Sequence, residues 1–501
     1  MTSLLNTRSA STSTASTHVP TTDVGPDPEP RSRPGGGVIA DTLDRVGFTR
    51  AQRLVLMLIL AGMFFDTLEQ NSVGAMGANL KGALGISDIQ LTAINTATVV
   101  GGLVGRLLGG WLADRYGRRT SLGLNLLLYT LGGLISAVAF NYETLLASRF
   151  LVGIGLGGEF TIGITMLSEM VSTKRRGSLV AVLNIGSGGV GNFLSYGLFF
   201  LLLGPLAPAL GGDDQVWRWT FLLLALPALL IVFYRRLLPE TPRFLLSKGR
   251  IDEANQSLAI LTSDSLRPGA GSAPTGPLTD SDIPARQLAS SPKAVFSRAV
   301  LPRTLTLGAA SWMAFGAQVT LNFLMPTLLV ERGYSISESL LFTMIMNVGS
   351  LLGACAAALL AGKVGRRHVV GGAGALGCLT AASFAAFADS TALILILGAT
   401  FQFFTMITNT TLACWSPELY PTSIRATGTS IVNGIGNIAG AVMPFAAVAL
   451  FHTYGLAGVF GMVAVMYALL VVASRFAPET QACTLEEINE EALPVALPTA
   501  A

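Results

Sequence analysis

Gly109-Gly110-Trp111-Leu112-Ala113-Asp114-Arg115-Tyr116-Gly117-Arg118-Arg119 is a charged knot set between two long apolar runs, the second of which spans Ser121 to Phe140. Two apolar segments joined by so few residues must form a tight hairpin, and Tyr116-Gly117 supplies the permissive turn. Arg115, Arg118 and Arg119 enter hydrocarbon only at high cost, so they hold the turn at the water boundary, on the cytoplasmic side by the positive-inside bias. Asp114 is an acid in the last helical turn beside three cations, and Gly110 shares its face. Such a cluster can lock two helices together or let them go.

Working outward, the chain of 501 residues is 51% hydrophobic and only 12% charged, with mean hydropathy +0.59. Soluble chains carry about 25% charged residues, so this composition specifies an all-α polytopic membrane protein whose first partner is the lipid bilayer. The 56 glycines suit closely packed membrane helices. A net charge of +3 gives no nucleic-acid signal. Residues 1–37, rich in Ser, Thr, Pro and Gly, read as a disordered tail rather than a signal peptide. Cys355, Cys378 and Cys414 fall in apolar runs and Cys483 in the C-terminal tail, at no spacing that suggests a disulfide, metal or cofactor site. His18, His368 and His452 lie outside the expected spans, so an intramembrane proton carrier must be a carboxylate.

Spans of about 20 residues cross a bilayer core, and twelve are predicted: 53–77, 89–112, 121–140, 144–170, 178–203, 219–235, 305–330, 338–361, 369–388, 392–416, 426–450 and 456–475. Val38–Phe48 reads as an amphipathic segment on the membrane surface, and Thr49 to Gln52 has capping-box spacing that starts the first span. Lys and Arg concentrate in alternate turns: Arg115/Arg118/Arg119, Lys174/Arg175/Arg176, Lys363/Arg366/Arg367 and Arg425, while the opposite side shows Lys81, Arg218 and Arg332. Both termini are therefore expected in the cytoplasm.

The halves repeat. Ser87 with Gln90 and Ser335 with Glu338 are capping boxes 248 residues apart, and Gly117-Arg118-Arg119 recurs as Gly365-Arg366-Arg367 at the same offset. Asn141 matches Asp389 at 248, while Glu169 and Arg176 match Glu418 and Arg425, and Asn184 matches Asn433, each at 249. One single-residue shift over six spans predicts two homologous six-helix bundles. The expected organisation is a tail with a surface segment at 1–50, a six-helix bundle at 51–236, a central cytoplasmic loop at 237–303, a second bundle at 304–477 and a tail at 478–501. Within the loop, 264–292 reads as disordered, and Pro242–Lys248 and Ile251–Leu261 as short helices.

Gly110–Arg119, Arg149 with Gly153-Ile154-Gly155, Pro239-Glu240-Thr241-Pro242-Arg243, Pro417-Glu418-Leu419-Tyr420-Pro421-Thr422, and Pro478-Glu479-Thr480 with Leu485-Glu486-Glu487-Ile488 resemble the signatures of the major facilitator superfamily. The chain looks most like its sugar-porter branch and the related metabolite:proton symporters. Leu43-Asp44-Arg45 through Phe65-Asp66, with Gly157-Gly158-Glu159-Phe160, is closer to the latter.

Transport against a gradient needs a group that changes charge inside the membrane, and an acid at bilayer depth is costly enough to imply a function. Asp66 sits near the middle of the first span, with Glu69 and Gln70 at i+3 and i+4 on the same face, and Glu159 near the centre of the fourth. Arg149 precedes Glu159 by ten residues, about 15 Å along the helix. By the resemblance, Asp66 is the protonation site and Arg149 its partner; the alternative is a static pair fastening two helices. Glu159 and Glu69 read equally as coupling or substrate contacts and as packing groups. Arg106 shares a face with Gly110 and Asp114, and is either a snorkelling or gate-stabilising cation or a positive group for an anionic substrate. In the C-terminal half, Gln318, Asn322, Asn347, Gln402, Asn409 and Asn433 are the neutral polar groups at depth, and Gln318, Asn322 and Asn347 join the expected substrate set. The glutamine pair and the tyrosine pair of sugar porters are missing, their places held by Gly316-Ala317 and Pro326-Thr327.

The remaining charges read as a cytoplasmic gate: Asp114 with its neighbouring arginines, Glu169 with Arg175 or Arg176, and Glu418 with Arg425, the repeat of Asp114 being Gly362. An uneven gate held mainly by its N-terminal copy is expected. The predicted function is proton-coupled uptake of a small polar metabolite by alternating access, an organic or aromatic acid ahead of a sugar, by a monomer in the plasma (inner) membrane. Proton-antiport efflux and a non-transporting sensor are the alternatives. No nucleophile–base set, metal spacing or phosphate loop suggests an enzyme.

Overall fold

The computed structural model describes residues 36–226, 233, 237–263, 277–279, 282, 295–298, 300–361, 363–388, 390–420 and 424–480, apart from a few side chains. The tail 1–35, most of 264–294, Gly362, Asp389, 421–423 and 481–501 lie outside the described residues, as does the Arg176 side chain. In chain order the α-helices are α1 Gly36–Arg45, α2 Arg50–Ala75, α3 Gly77–Leu84, α4 Asp88–Tyr116, α5 Arg118–Ala137, α6 Tyr142–Met170, α7 Thr173–Asn184, α8 Asn192–Leu203, α9 Val216–Leu224, α10 Pro242–Ser247, α11 Ile251–Thr262, α12 Leu301–Glu331, α13 Ile336–Leu360, α14 Arg366–Phe387, α15 Thr391–Glu418 and α16 Arg425–Ser474. A π-helical turn, Ile185–Gly191, joins α7 to α8.

Among the described residues ten helices are long and apolar enough to cross a membrane. The last of these is broken at Gly455, where φ is 63° and ψ −154°, so α16 is two helices joined at a glycine. The predicted boundary between 450 and 456 lies at that break. The sixth predicted span begins as α9, and most of its remainder lies outside the described residues.

Helix starts follow the expected chemistry. Ser87 and Ser335 each close a complete capping box with Gln90 and Glu338, and Asn141 caps α6 by accepting from the Thr144 N–H. Thr49 accepts from the Gln52 N–H and donates its hydroxyl proton to the Leu261 carbonyl, which ties α2 to α11.

The repeat is visible in packing. Gly101 and Gly105 of α4 lie against the backbone of Phe150 and Ile154 on α6, while Gly349 and Gly353 of α13 lie against Ala399 and Phe403 on α15. The glycines stand 248 apart and their partners 249 apart, the register read from the sequence. A Cβ at any of the four glycines would strike backbone, so only glycine permits these approaches.

Two expectations change. Val38–Phe48 does not lie free on a surface: Ile39 and Leu43 are buried in a cluster with Val55, Leu258 and Leu261, and Asp44 accepts from the Ser172 hydroxyl. The apolar stripe of α1 is covered by the chain itself. The helices α10 and α11 also bury Phe244, Leu245, Leu246 and Leu258 in this cluster, so the first part of the predicted central loop floors the N-terminal helices.

At the end remote from the arginine turn the two sets of helices meet directly. Gly74 of α2 abuts the backbone of Phe323, and Gly77 of α3 abuts the Thr327 side chain. The Tyr196 hydroxyl donates to the Asn322 carbonyl at 2.5 Å, and Thr96 donates to the Ala441 carbonyl at 2.8 Å. Gly74→Val is expected to wedge this mouth open. A spin-label pair at Ile89→Cys and Tyr454→Cys, both exposed positions at this end, should then report a longer distance; an unchanged distance would show that the seal yields elsewhere.

Candidate functional site

Deep between the helices, α2 presents Asp66 and Glu69, α4 presents Arg106, and α6 presents Arg149 and Glu159. Asp66, Glu69, Arg149 and Glu159 are all buried, at 2% exposure or less. Four ionisable groups at this depth persist only when paired or functional.

Arg149 pairs with Glu69 rather than with Asp66. Its guanidinium makes an ion pair with the Glu69 carboxylate, donates to the Glu69 carbonyl at 3.2 Å and lies 5.2 Å from the centroid of the Phe221 ring. The reason is depth. Asp66 lies level with Glu159, and ten residues along α6 separate Glu159 from Arg149 by about 15 Å. Glu69 is nearly one turn further along α2 towards Arg149, and its longer side chain closes the gap.

Asp66 instead faces Glu159 within hydrogen-bonding reach, with Glu69 and the Arg106 guanidinium as further charged neighbours. Neither Asp66 oxygen receives a hydrogen bond from the described residues. Two facing carboxylates repel and offer no donor; a proton held between them supplies both charge relief and the missing donor. Among the described residues the buried Nε of Arg106 has no hydrogen-bond partner, and Asp66 is a charged neighbour. The three groups form one electrostatic unit.

Glu69 and Gln70 part company despite their shared helix. Glu69 is fully buried, whereas Gln70 is exposed; consecutive residues lie about 100° apart around a helix. Gln70 shares its i, i+4 face with Asp66 and Gly74, directed towards α12.

The C-terminal half divides the expected polar set. Gln318 donates only weakly, to the Met406 sulfur at 3.9 Å, and Met406 in turn abuts Gly188 of the π turn. The Ser187 carbonyl of that turn accepts from Thr67, next to Asp66. Gln318 thus stands at the level of the acid pair. Asn322 is engaged on both sides, accepting from Gln402 at 2.6 Å through its side chain and from Tyr196 through its carbonyl. Asn347 is fully buried and bonded within its own helix, to the Thr343 carbonyl and Ser350, so it packs α13 rather than facing a substrate. Tyr196 and Met406 did not stand out as site residues in the sequence. The glycine run Gly186 to Gly191 was the available sign, because a π turn often marks a functional site in a helix.

The charged cluster at the arginine turn pairs differently from expectation. Arg118 holds Asp114 at 3.2 Å and Glu169 at 3.3 Å, and Arg366 holds Glu418 at 3.2 Å. Arg425 turns its Nε to the Tyr420 carbonyl at 3.3 Å, and Arg175 lies over the Phe48 ring. Each acid at the end of one helix meets the arginine that starts a neighbouring helix, so both halves carry the same pair. The unevenness is confined to Asp114. Arg115 stacks with Trp111 and Tyr116 at the boundary.

Two motif acids complete this layer. Glu240 accepts from the backbone N–H groups of Arg118 and Arg119, and Glu479 accepts from those of Arg366 and Arg367. Each carboxylate caps a helix N-terminus where N–H groups lack partners. Burial pushes the Glu240 carboxyl above its ordinary value although the backbone donors of Thr241, Arg118 and Arg119 pull it down.

A sequence model of the family described as "Sugar (and other) transporter" matches residues 51–492. The chain belongs to this family. It is 30% identical over 444 residues to a niacin transporter of Acinetobacter baylyi, covering 87% of this chain and 96% of the relative. It is 30% identical over 411 residues to a gallate transporter of Pseudomonas putida, covering 79% and 85%. The xylose transporter of E. coli in its inward open conformation superposes with a TM-score of 0.66 at 18% identity, over 88% of this chain and 99% of that one. The protein is thus a multi-pass major facilitator transporter of metabolites, built of helices among the described residues, and not an enzyme.

Proposed function

We propose that this transporter couples protons to the uptake of a small organic acid, with an aromatic carboxylate as its substrate class. The observation that supports this reading most is the juxtaposition of Asp66, Glu159 and Arg106: a buried acid pair in need of a proton beside a cation in need of an anion. A substrate carboxylate docking on Arg106 would compete with Asp66 for the same positive charge. That competition links substrate to proton within one site. Gln318 and Gln70 supply neutral hydrogen bonds from opposite halves. Similarity to proteins named as niacin and gallate transporters, both of which carry carboxylated aromatics, agrees with the substrate class.

In this reading twelve spans cross the plasma membrane with both termini in the cytoplasm. The monomer rocks between two states around the midplane site, the gate layer of Arg118, Glu169, Arg366 and Glu418 forming its cytoplasmic end. Arg106→Ala is expected to weaken apparent affinity for an aromatic acid about tenfold or more, since a hydrogen bond to a charged group contributes about 1.5–3 kcal/mol. Affinity for the corresponding neutral amide should stay unchanged. Binding to purified protein measures both; equal affinity for the acid before and after the substitution would remove Arg106 from the site.

A further inference from the structure

Away from the midplane, a chain of charges crosses between the two sets of helices. Lys81 on α3 lies 2.5 Å from Asp88 at the start of α4 and 2.7 Å from Glu331 at the end of α12. The second oxygen of Asp88 lies 3.1 Å from Nε2 of His452 on α16. The order in space is Glu331, Lys81, Asp88, His452, with the middle two residues from the N-terminal half and the outer two from the C-terminal half. This chain sits at the mouth where Gly74 meets Phe323, and a cavity of about 370 Å³ adjoins it, lined in part by Glu331, Arg332, Phe451 and Tyr454. The contacts therefore open into water.

We infer that Lys81, Asp88, Glu331 and His452 form an ionic latch that holds this mouth closed and must break once in every transport cycle. When the halves part, the two crossing contacts, Lys81–Glu331 and Asp88–His452, are lost together. Lys81 and Asp88 keep each other, so the N-terminal half strands no charge in the open state and the latch can re-form. Side-chain exposures of 27% for Lys81, 19% for Asp88, 26% for Glu331 and 57% for His452 leave each partner enough water to separate without a large desolvation cost. Pairs this exposed shift a two-state balance by about two- to fivefold each, enough to bias a cycling protein without freezing it.

Double electron–electron resonance with labels at Ile89→Cys and Tyr454→Cys tests this on the full chain, with Cys355, Cys378, Cys414 and Cys483 replaced by serine. The long-distance population should rise about two- to fivefold in Lys81→Ala and in Glu331→Gln, and stay at the starting level in Lys81→Arg. Unchanged populations in both of the first two variants, or an equal rise in Lys81→Arg, would overturn the latch. The long-distance population should also rise in His452→Ala; an unchanged population in that variant would overturn the role of His452. The readout needs no substrate, so its failure is distinguishable from failure of the proposed cargo.

Discussion

Asp66→Asn is expected to abolish accumulation driven by a pH gradient while leaving substrate exchange in place. One pH unit is worth 1.36 kcal/mol per proton, so vesicles with a one-unit step should accumulate substrate about tenfold per coupled proton. The Asp66→Asn protein should reach about onefold. The physical reason lies in the facing pair: an asparagine amide supplies Glu159 with the donor that a proton otherwise provides, and the site no longer needs to take one up. Glu159→Gln should act alike from the other side. Counterflow, which needs binding and rocking but no net proton movement, reports whether the carrier still cycles. Full accumulation in Asp66→Asn would remove the acid pair from coupling.

The second large effect concerns Arg149, and it is one of stability. Arg149→Met leaves the Glu69 carboxylate fully buried without its ion-pair partner, a change that costs about 3–5 kcal/mol. It also removes the cation over the Phe221 ring. Thermal unfolding of the detergent-solubilised protein should show a marked fall in midpoint. The double variant Glu69→Gln with Arg149→Met should recover most of the loss, because replacing both members strands no charge. If Glu69→Gln fails to rescue, the pair is not what fastens α2 to α6. The two predictions separate roles that the family resemblance merged: Asp66 should govern coupling with little effect on unfolding, and Arg149 should govern unfolding.

Much of the architecture was legible because it rests on local properties. Apolar length marks a span, a Ser or Thr followed three residues later by Gln or Glu marks a helix start, and lysine and arginine mark turns. The break at Gly455 and the capping boxes at Ser87 and Ser335 appear where those rules put them. The repeat offset extended further still, to the glycine contacts of α4 with α6 and of α13 with α15. The Glu240 and Glu479 motifs were visible as words, while their task of capping α5 and α14 was not.

The sequence by itself determined a twice-repeated set of apolar helices, the charged turn between α4 and α5, and the depth of each acid and arginine along its own helix. Only the tertiary structure decided which of them meet. Asp66 and Glu69 stand three residues apart, Glu69 and Gln70 one, yet the first faces Glu159, the second Arg149 and the third the opposite half. Partner choice depends on the relative height and rotation of helices distant in sequence, where one residue turns a side chain by about 100° and lifts it by about 1.5 Å. Spacing within a helix carries no information about that offset between helices; close packing of glycine against backbone sets it.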